Sequence, residues 1–380
     1  MRLAVYTDYS YHRVDGAVYA ERAFALFLSR LGEHFDRLTV LGRLAPTSES
    51  RARYELGDRV EFVPLPYYAR LTEPRSVLPG VLGTLGAFWK VLGETDCICL
   101  FGPHPLAFPV ALMARLRGKK LVLGVRQDTP EYVRSRHPDR KLLHQIARLM
   151  DGGFRLLGRS CSVIAVGPAV ANGYRHSRRL LQISVSLVDE ADIVDPESRR
   201  VDYGGELTVL SVGRLDVEKN PLLLADILAL LVKRSPRWRL VICGEGSLEQ
   251  ELRERLEQLG VASRAEMRGY LPMNGGLMAL YRESHALLHV SWTEGLPQVL
   301  YEAFSAALPV VATDVGGIGA AVGGAVSLIP PGDAEAGAQA LARLGSDEAR
   351  RKERIRAGHS LVRAATIQLE CARVAEFIRG

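Results

Sequence analysis

Short apolar runs alternate with helix-like segments along nearly the whole chain, and this alternation is the feature that most constrains the fold. The runs are apolar throughout and rich in β-branched residues, as expected for strands that helices cover on both faces. Such alternation predicts parallel sheets built from βαβ units. The predicted strands are residues 3–7, 37–41, 60–63, 97–101, 120–125, 162–166, 207–212, 239–243, 265–268, 286–290, 309–312 and 326–329.

A charged segment with two glycines and a proline interrupts the alternation at residues 188–205 and indicates a linker. We therefore predict an α/β protein of two doubly wound domains, residues 1–187 and 206–362, facing across a cleft. A C-terminal helix at 363–380 is predicted to pack back on the first domain. The other predicted helices are residues 17–31, 106–117, 140–157, 221–234, 248–259, 276–283 and 298–307.

Cysteine usage and hydropathy favour a reducing, cytoplasmic setting. The five cysteines show no C-x-x-C spacing, which argues against a disulfide framework and a zinc ribbon. The opening apolar run already contains Asp8 and is too short for a secretory signal. The longest uncharged stretch, residues 97–114, carries one glycine and three prolines, so no membrane span is expected.

Charge is unevenly distributed between the two halves of the chain. Residues 1–190 hold 27 Lys and Arg against 18 Asp and Glu, whereas residues 191–380 hold 22 against 25. The basic half suggests an anionic partner, and the alternative is a scattered, solvated arginine surface. Basic segments at 134–141 and 175–179 adjoin leucine-rich helix and suggest peripheral contact with the inner face of the plasma membrane; a core-facing helix is the alternative. No nucleic-acid motif is present.

Two loops at predicted strand ends carry residues suited to a phosphorylated sugar. Arg214 and Lys219 follow the strand at 207–212 and precede a helix, an arrangement that suits a diphosphate; the alternative is an exposed loop. Glu294 follows the strand at 286–290. Glu302, separated from Glu294 by seven residues, lies inside a predicted helix. That spacing alone is no evidence, but a loop carboxylate and a buried carboxylate suit sugar hydroxyls.

Several other patterns are weaker than they look. The run 316–324 is rich in glycine but lacks the G-x-G-x-x-G spacing of a dinucleotide loop. His285 and His289 are four residues apart in a predicted strand and are interpreted as core or sheet-face histidines. A P-loop and an Asp-x-Asp pair are both missing from the sequence, so no metal site is predicted.

The stretch 213–341 resembles the donor half of the retaining GT-B-fold glycosyltransferases of family 4, the glycosyl transferases group 1. The matching motifs occur in the family's order. They are Gly213-Arg214-Leu215 with Lys219-Asn220, Gly244-Glu245-Gly246, Arg268-Gly269-Tyr270, Glu294-Gly295-Leu296-Pro297, Glu302-Ala303, 309–313 and Val315-Gly316-Gly317.

The resemblance implies a role for each matched position. Arg214 and Lys219 would hold the diphosphate of a nucleotide-sugar donor, with UDP or GDP as the nucleotide. Glu302 would bind the ribose hydroxyls. The main chain near Arg268, Gly269 and Tyr270 would receive the nucleobase. The donor sugar would contact Glu294, Gly295, Leu296, Pro297 and Gln298. The family needs neither a metal nor another cofactor.

The first half resembles the family more loosely. Asp15 and Gly16, after the strand at 3–7 and opening a helix, resemble the loop that closes on the donor phosphate. Arg126 stands where the family often has a catalytic histidine, and Phe101 stands where a second histidine is frequent. His104 lies nearby as a substitute or as an ordinary loop residue. Arg126 and His104 therefore join Arg214, Lys219 and Glu294 as catalytic candidates.

The function implied is sugar transfer from a nucleotide-diphospho-sugar to an acceptor hydroxyl with retention, in bacterial glycan, glycolipid or natural-product synthesis. The acceptor would be a lipid-linked or small-molecule glycan bound by the first domain. The alternatives are a sugar-nucleotide-binding protein without activity and a GT-B-fold epimerase or phosphorylase. Gly319 and Ala320, where the family often has Pro and Glu, suggest a looser donor loop.

Overall fold

The chain folds into two units in a computed structural model that describes residues 1–20, 23–46, 54–67, 74–184, 186–199, 201–273 and 276–380. The first unit comprises residues 1–130, 142–187 and 367–380. The second comprises residues 131–141 and 188–366. Each unit is a sheet covered by helices, as the alternation of apolar runs predicts.

The first unit contains a mainly parallel sheet. Its parallel strands run in the order β5-β3-β1-β6-β7-β8-β9, and β2 and β4 extend the end of β1 as antiparallel strands. Among the described residues the strands are β1 (Arg2–Val14), β2 (Ala17–Ala20), β3 (Arg37–Leu44), β4 (Tyr54–Glu55), β5 (Val60–Leu65), β6 (Cys97–Gly102), β7 (Lys120–Val125), β8 (Ser162–Val166) and β9 (Arg179–Ile183).

The helices that follow these strands cover the sheet. Leu100 and Leu123 of the sheet pack in one apolar cluster with Phe88, Val110 and Phe154, which come from three different helices. The helices described up to residue 187 are α1 (Phe24–Gly32), α2 (Pro74–Glu94), α3 (Ala107–Leu116), α4 (Thr129–Arg136), α5 (Lys141–Gly158) and α6 (Pro168–Gly173). Helix α4 spans the boundary between the two units.

The second unit has a fully parallel sheet of six described strands in the order β12-β11-β10-β13-β14-β15. This is the doubly wound order, in which the direction of winding reverses between the first and fourth strands. The strands are β10 (Leu207–Val212), β11 (Trp238–Cys243), β12 (Ala265–Met267), β13 (Ala286–His289), β14 (Val310–Thr313) and β15 (Val326–Ile329).

Helices pack on the second sheet and bury a core that includes Ile227, Trp238 and Leu240. The last helix of the chain, α14 (Ile367–Arg379), returns to the first unit, where the Cys371 thiol lies against the carbonyl of Phe27. The other helices are α7 (Leu222–Arg234), α8 (Glu249–Gln258), α9 (Leu277–Glu283), α10 (Gln298–Ser305), α11 (Ile318–Val322), α12 (Ala334–Ser346) and α13 (Glu348–Arg363).

The prediction that Asp15 and Gly16 open a helix at 17–31 is wrong at its start. These two residues form the turn of a hairpin in which Val14 pairs with Ala17. Asp15 has φ of 50° and Gly16 has φ of 87°, the left-handed values that a two-residue hairpin turn requires. An Asp-Gly pair is a strong signal for that turn, and α1 begins only at Phe24.

Candidate functional site

The candidate site lies at the carboxyl ends of β10 and β13, the neighbouring strands between which the winding of the second sheet reverses. Helices leave the two strands on opposite faces at such a point, so a crevice opens between the loops that follow. The loop after β10 carries Arg214 and Lys219, and the loop after β13 carries Glu294. The main chain joins them where Trp292 N–H donates to the carbonyl of Glu218 at 2.9 Å.

Carboxylates hold the Arg214 guanidinium in the loop after β10. Arg214 Nη2 donates to Glu218 Oε1 at 2.6 Å, and Nη1 is bonded to Asp216. Glu218 is 2% exposed, and its second oxygen has no hydrogen-bond partner among the described residues. Arg136, from the end of α4, approaches Glu218 Oε1 to 3.8 Å. A buried carboxylate thus aims Arg214 and draws a second guanidinium toward the loop.

Glu294 Oε1 gathers three donors at the centre of the site. Lys219 Nζ lies 2.5 Å away, Ser291 Oγ 2.7 Å and His289 Nε2 2.9 Å. Because a carboxylate only accepts, the His289 ring carries its proton on Nε2. Burial by itself raises the pKa of Glu294, but the Lys219 charge and the His289 donor outweigh it and hold that pKa well below its usual range. The carboxylate is therefore ionised and fixed.

Close backbone contacts fix the two loops. At Gly316, where φ is 60°, a Cβ would lie 2.0 Å from the carbonyl oxygen of Glu294. At Gly244 a Cβ would lie 1.8 Å from the carbonyl oxygen of Gly213. A Cβ at Gly213 itself would meet nothing within 4 Å. The glycines of the sequence motifs thus allow the loops to pack, and Gly213 leaves open space beside Arg214.

A small pocket opens at this edge of the second sheet. Its lining brings together Gly213, Arg214 and Lys219 from one loop with His289, the last residue of β13, and Val290, which follows it. Glu294 is linked to the pocket through Lys219 and His289. The structure therefore places two of the predicted residues, Arg214 and Lys219, in the lining of one concavity, and Glu294 is bonded to two of the lining residues.

Glu302 lies on the buried side of α10, as the sequence predicts, and is 9% exposed. The Tyr281 hydroxyl donates to Glu302 Oε2 at 2.7 Å. Burial raises the pKa of Glu302, and the Tyr281 donor only partly opposes that rise. Gln298 is the first residue of α10 and follows the buried Leu296 and Pro297, while Gly295 beside Glu294 is half-buried.

The predicted nucleobase segment lies beyond β12. The Gly269 carbonyl accepts from Gly244 N–H at 2.7 Å, which ties this segment to the loop after β11. Tyr270 N–H reaches Glu245 Oε1 at 3.4 Å, and the Arg268 side chain pairs with Glu266 at 2.7 Å. The two loops are held together by main chain, and the Arg268 side chain is directed to its own strand.

A separate polar cluster occupies the reversal point of the first sheet, between β1 and β6. His104 is 6% exposed; its Nδ1 accepts from Leu106 N–H at 3.3 Å and lies 3.0 Å from the Tyr6 hydroxyl. Its Nε2 lies 3.2 Å from Asp8 Oδ2. Arg43 holds the other Asp8 oxygen at 3.1 Å. Both ring nitrogens of His104 thus have partners. The Asp8 side chain is more exposed than the His104 side chain.

The other candidates of the first unit, Arg126, Asp15 and Gly16, do not take part in the contacts described for the His104 cluster. Arg126 bonds the Tyr9 hydroxyl, and its guanidinium lies 4.3 Å from the centroid of the Phe24 ring. Asp15 and Gly16 are exposed at the tip of the β1–β2 hairpin. Arg126 is therefore held by aromatic side chains.

Sequence reasoning missed several residues of the site. The sequence alone predicts a core histidine at His289; the residue is buried, but it also bonds the catalytic candidate Glu294. Its position at the carboxyl end of a predicted strand was a usable signal. Ser291, Glu218 and Tyr281 gave no such signal. In the residues that the structure describes, no group of three His, Cys, Asp or Glu side chains could hold a metal ion.

Comparison with known proteins gives a family match over part of the chain. Residues 197–360 match the model of the family described as glycosyl transferases group 1. A Campylobacter jejuni α-1,4-N-acetyl-D-galactosaminyltransferase acting on an undecaprenol-linked glycan is 36% identical over 117 residues, 30% of this chain and 31% of the relative. The chain thus covers less than a third of that relative's length.

Solved structures are similar over the whole chain. A sucrose-phosphate synthase from Thermosynechococcus elongatus aligns with a TM-score of 0.73 at 18% identity, covering 100% of this chain and 98% of the other. HepE from Anabaena, solved in complex with UDP and glucose, aligns with a TM-score of 0.73 at 16% identity, covering 100% of both. At these identities the likeness shows the fold, which is GT-B, and the predicted fold class is confirmed.

Proposed function

We propose, from the premise that residues 197–360 belong to the glycosyl transferases group 1 family, that this protein transfers a sugar from a nucleotide-diphospho-sugar to an acceptor hydroxyl. The observation that carries the proposal is the pocket where Arg214, Lys219 and the Glu294 network meet at the sheet's reversal point. HepE, with UDP and glucose bound, supports UDP as the donor nucleotide. GDP is the alternative.

In the proposed reaction, Arg214 and Lys219 bind the donor diphosphate and stabilise the charge that develops as it leaves. Their carboxylate partners Asp216, Glu218 and Glu294 hold them in place before the donor arrives. Preorganised charges of this kind avoid the cost of rearrangement during the reaction.

The donor sugar is proposed to lie against Glu294, Gly295, Leu296, Pro297 and Gln298. Glu294 is ionised and fixed by its three donors, so its second oxygen is suited to accept from a sugar hydroxyl. Glu302 would accept from the ribose, exchanging or sharing its bond to Tyr281. The base would bind near Arg268, Gly269 and Tyr270, and Asp15 and Gly16 would close on the phosphate.

We propose retention of configuration without a metal. The leaving diphosphate would accept the acceptor's proton while the new bond forms on the same face of the sugar. Arg214 and Lys219 would face the diphosphate and supply the positive charge that a divalent ion supplies in metal-dependent enzymes. Arg126 and His104 would act on the acceptor side, His104 through Asp8, which it bonds.

We further propose a cytoplasmic enzyme whose first unit binds a glycan acceptor, lipid-linked or small. The five free cysteines, all buried, suit a reducing compartment. None of the helices in the described ranges is long and apolar enough to span a bilayer.

Thermal shift with UDP, GDP, ADP and dTDP tests the donor site, each with and without EDTA. A nucleotide at 100 times its Kd stabilises by about 2.7 kcal/mol. We expect one nucleotide to stand out, with a shift unchanged by EDTA and reduced in Glu302→Gln. The matched control, Glu254→Gln, makes the same chemical change on the exposed surface of α8 and is expected to keep the shift.

Turnover distinguishes the alternatives. Incubation of the preferred nucleotide's sugar conjugates with candidate acceptors should release nucleoside diphosphate and form an α- or β-linkage matching the donor. Binding without turnover across acceptors would favour the non-catalytic protein. A changed sugar without acceptor would favour the epimerase. No shift with any nucleotide would remove the basis of the proposal.

A further inference from the structure

Helices α2, α3 and α5 form one layer on the first sheet. Phe88, Val110 and Phe154, one from each helix, share the apolar cluster beneath the layer. The rings of Phe108 on α3 and Phe154 on α5 lie 6.2 Å apart, centroid to centroid, in an edge-on contact. Because these side chains fill the interior, the opposite sides of the three helices face away from the sheet. We name this outward surface the α2–α3–α5 face.

The α2–α3–α5 face exposes an unusual share of large apolar side chains. In the part of the chain whose side chains are described, eight of the fourteen exposed large apolar residues lie on these three helices, each between 44% and 76% exposed. Single exposed leucines are normal, but a concentration on one surface marks an interaction site. The eight are Leu82, Trp89, Leu112, Leu116, Leu142, Ile146, Leu149 and Leu156.

The apolar residues of α5 form a stripe along the helix. Leu142, Leu149 and Leu156 are seven residues apart and therefore lie on one side, with Ile146 beside them. The stripe spans about 21 Å at 1.5 Å per residue. The other side of the helix is buried, through Ala147, Phe154 and Gly158. The helix thus has a buried side that is apolar apart from Asp151, and a second, apolar side that stays exposed among the described residues.

Positive charge accompanies this apolar surface. Arg148 and Arg155 on α5 and Arg115 on α3 are exposed or partly exposed, and the Arg117 guanidinium lies 3.8 Å from the centroid of the Trp89 ring. The acidic residues within the three helices are Glu94 and Asp151, and Asp151 is buried and paired with Arg155 at 2.7 Å. Cations beside exposed leucines and a tryptophan complement the headgroups and acyl chains of an anionic bilayer.

We infer that the α2–α3–α5 face docks on a membrane surface of anionic lipid, with the leucine stripe of α5 entering the acyl boundary. Charge complementarity selects lipid over a second copy of this chain, because two such faces would bring like charges together. Docking does not depend on the proposed transfer reaction and is measured without it. Of the basic segment at 134–141, which the sequence suggests as the contact, only Lys141 belongs to the three helices, as the first residue of α5.

Vesicle flotation tests the inference with the full chain. The vesicles are equal mixtures of phosphatidylglycerol and phosphatidylcholine, compared with phosphatidylcholine alone. We expect binding to the anionic vesicles, weakened by salt, and about tenfold or greater loss in Leu142→Ser/Leu149→Ser/Leu156→Ser because three apolar anchors are removed. The control, Leu328→Ser/Leu369→Ser, removes exposed leucines elsewhere and should bind like the wild type.

Further arms separate the other outcomes. Arg148→Glu should weaken binding to anionic vesicles while leaving the melting temperature unchanged, because Arg148 is exposed on the surface of α5. Equal binding of wild type and the triple serine variant would overturn the inference. So would a wild type that floats with neither vesicle but forms a dimer in gel filtration that the triple variant abolishes, since the face would then bind a second copy.

Discussion

At the scale of single residues, the site depends on how the fold compensates one buried carboxylate. Glu294 has an 8% exposed side chain, and an isolated carboxylate there would be costly. Lys219, Ser291 and His289 all direct a donor to the same oxygen. The second oxygen is left for other partners. The Lys219–Glu294 ion pair therefore stabilises the fold. It also holds in place the two groups that are proposed to bind the diphosphate and the donor sugar.

Lys219→Met should expose this dependence. Removing one partner of a buried pair leaves an uncompensated charge, so we expect a loss of about 3 kcal/mol in the free energy of unfolding at pH 7. The pKa of Glu294 is lowered in the folded wild type, so its ionised form contributes stability above its unfolded pKa, about 4.3, which is lost as pH falls further. In the variant burial raises that pKa, so the deficit should shrink between pH 7 and pH 4.5.

Urea unfolding at the two pH values measures this deficit. Lys352→Met is the control, because Lys352 and Glu348 form an exposed pair on α13 whose loss should change stability little. A Lys219→Met deficit that is equal at both pH values would contradict the role given to Glu294. The variant should also lose its nucleotide shift, because the diphosphate loses a cation.

At the scale of elements, two glycines from different loops, Gly213 and Gly244, allow the loops after β10 and β11 to approach closely. The two positions differ in what a Cβ atom would meet. Gly244 packs on the Gly213 carbonyl, whereas the missing Cβ of Gly213 faces open space beside Arg214. The first arrangement is needed for the loops to fold. The second leaves room where the diphosphate is proposed to bind.

Gly213→Ala should therefore weaken nucleotide binding by about tenfold while leaving the melting temperature nearly unchanged, since φ at this position is not in the left-handed region. Gly244→Ala, the matched change across the contact, should instead destabilise the fold because its Cβ would overlap a carbonyl oxygen. Thermal melts with and without nucleotide separate the two effects. A Gly213→Ala variant with unchanged nucleotide affinity would place the ligand elsewhere.

The sequence predicted the parallel strands better than the elements between them. Apolar β-branched runs located every strand of the second sheet, because strands covered on both faces have no polar side. Helix α2, residues 74–94, was missed because its glycines and prolines are typical of loops. Strand β2 was missed because the Asp15–Gly16 pair resembles a phosphate loop as well as a hairpin turn.

The candidate site was predictable in its residue types but not in its contacts. Motif order located Arg214, Lys219, Glu294 and Glu302. The pairing of Lys219 with Glu294 joins residues 75 positions apart, and the Tyr281 bond to Glu302 depends on how α9 packs near α10. Such distances are set by tertiary packing, which local patterns do not encode.

At the scale of the whole molecule, the chain leaves its first unit and returns to it at the end. Helix α14 buries Ile367, Cys371 and Ile378 against the first unit. Glu370 is fully buried there, where it accepts from Ser184 N–H at 2.7 Å and from Arg373 at 2.6 Å. The last fourteen residues therefore pack in the same unit as the first residues of the chain.

Deleting residues 367–380 should destabilise the first unit selectively. The deletion uncovers α1 and β9 and leaves Ser184 N–H without its acceptor, whereas the core of the second unit lies within residues 207–344. Hydrogen exchange should therefore quicken in α1 and β9 while β10, β13 and α10 keep their protection. The nucleotide shift should remain, because every proposed donor contact except Asp15 and Gly16 lies in the second unit.

Leu369→Ser, an exposed change on the same helix, is the control and should leave both units protected. Equal loss of protection across both sheets after the deletion would show that the two units unfold as one and that α14 stabilises the whole chain. If the nucleotide shift is lost while β10 and β13 stay protected, the second unit is still folded but no longer binds the nucleotide. That outcome would show that the first unit supplies donor contacts, as proposed for the Asp15–Gly16 turn. Hydrogen exchange and the nucleotide shift, measured on the same deletion variant, thus show whether α14 stabilises the first unit alone or both units.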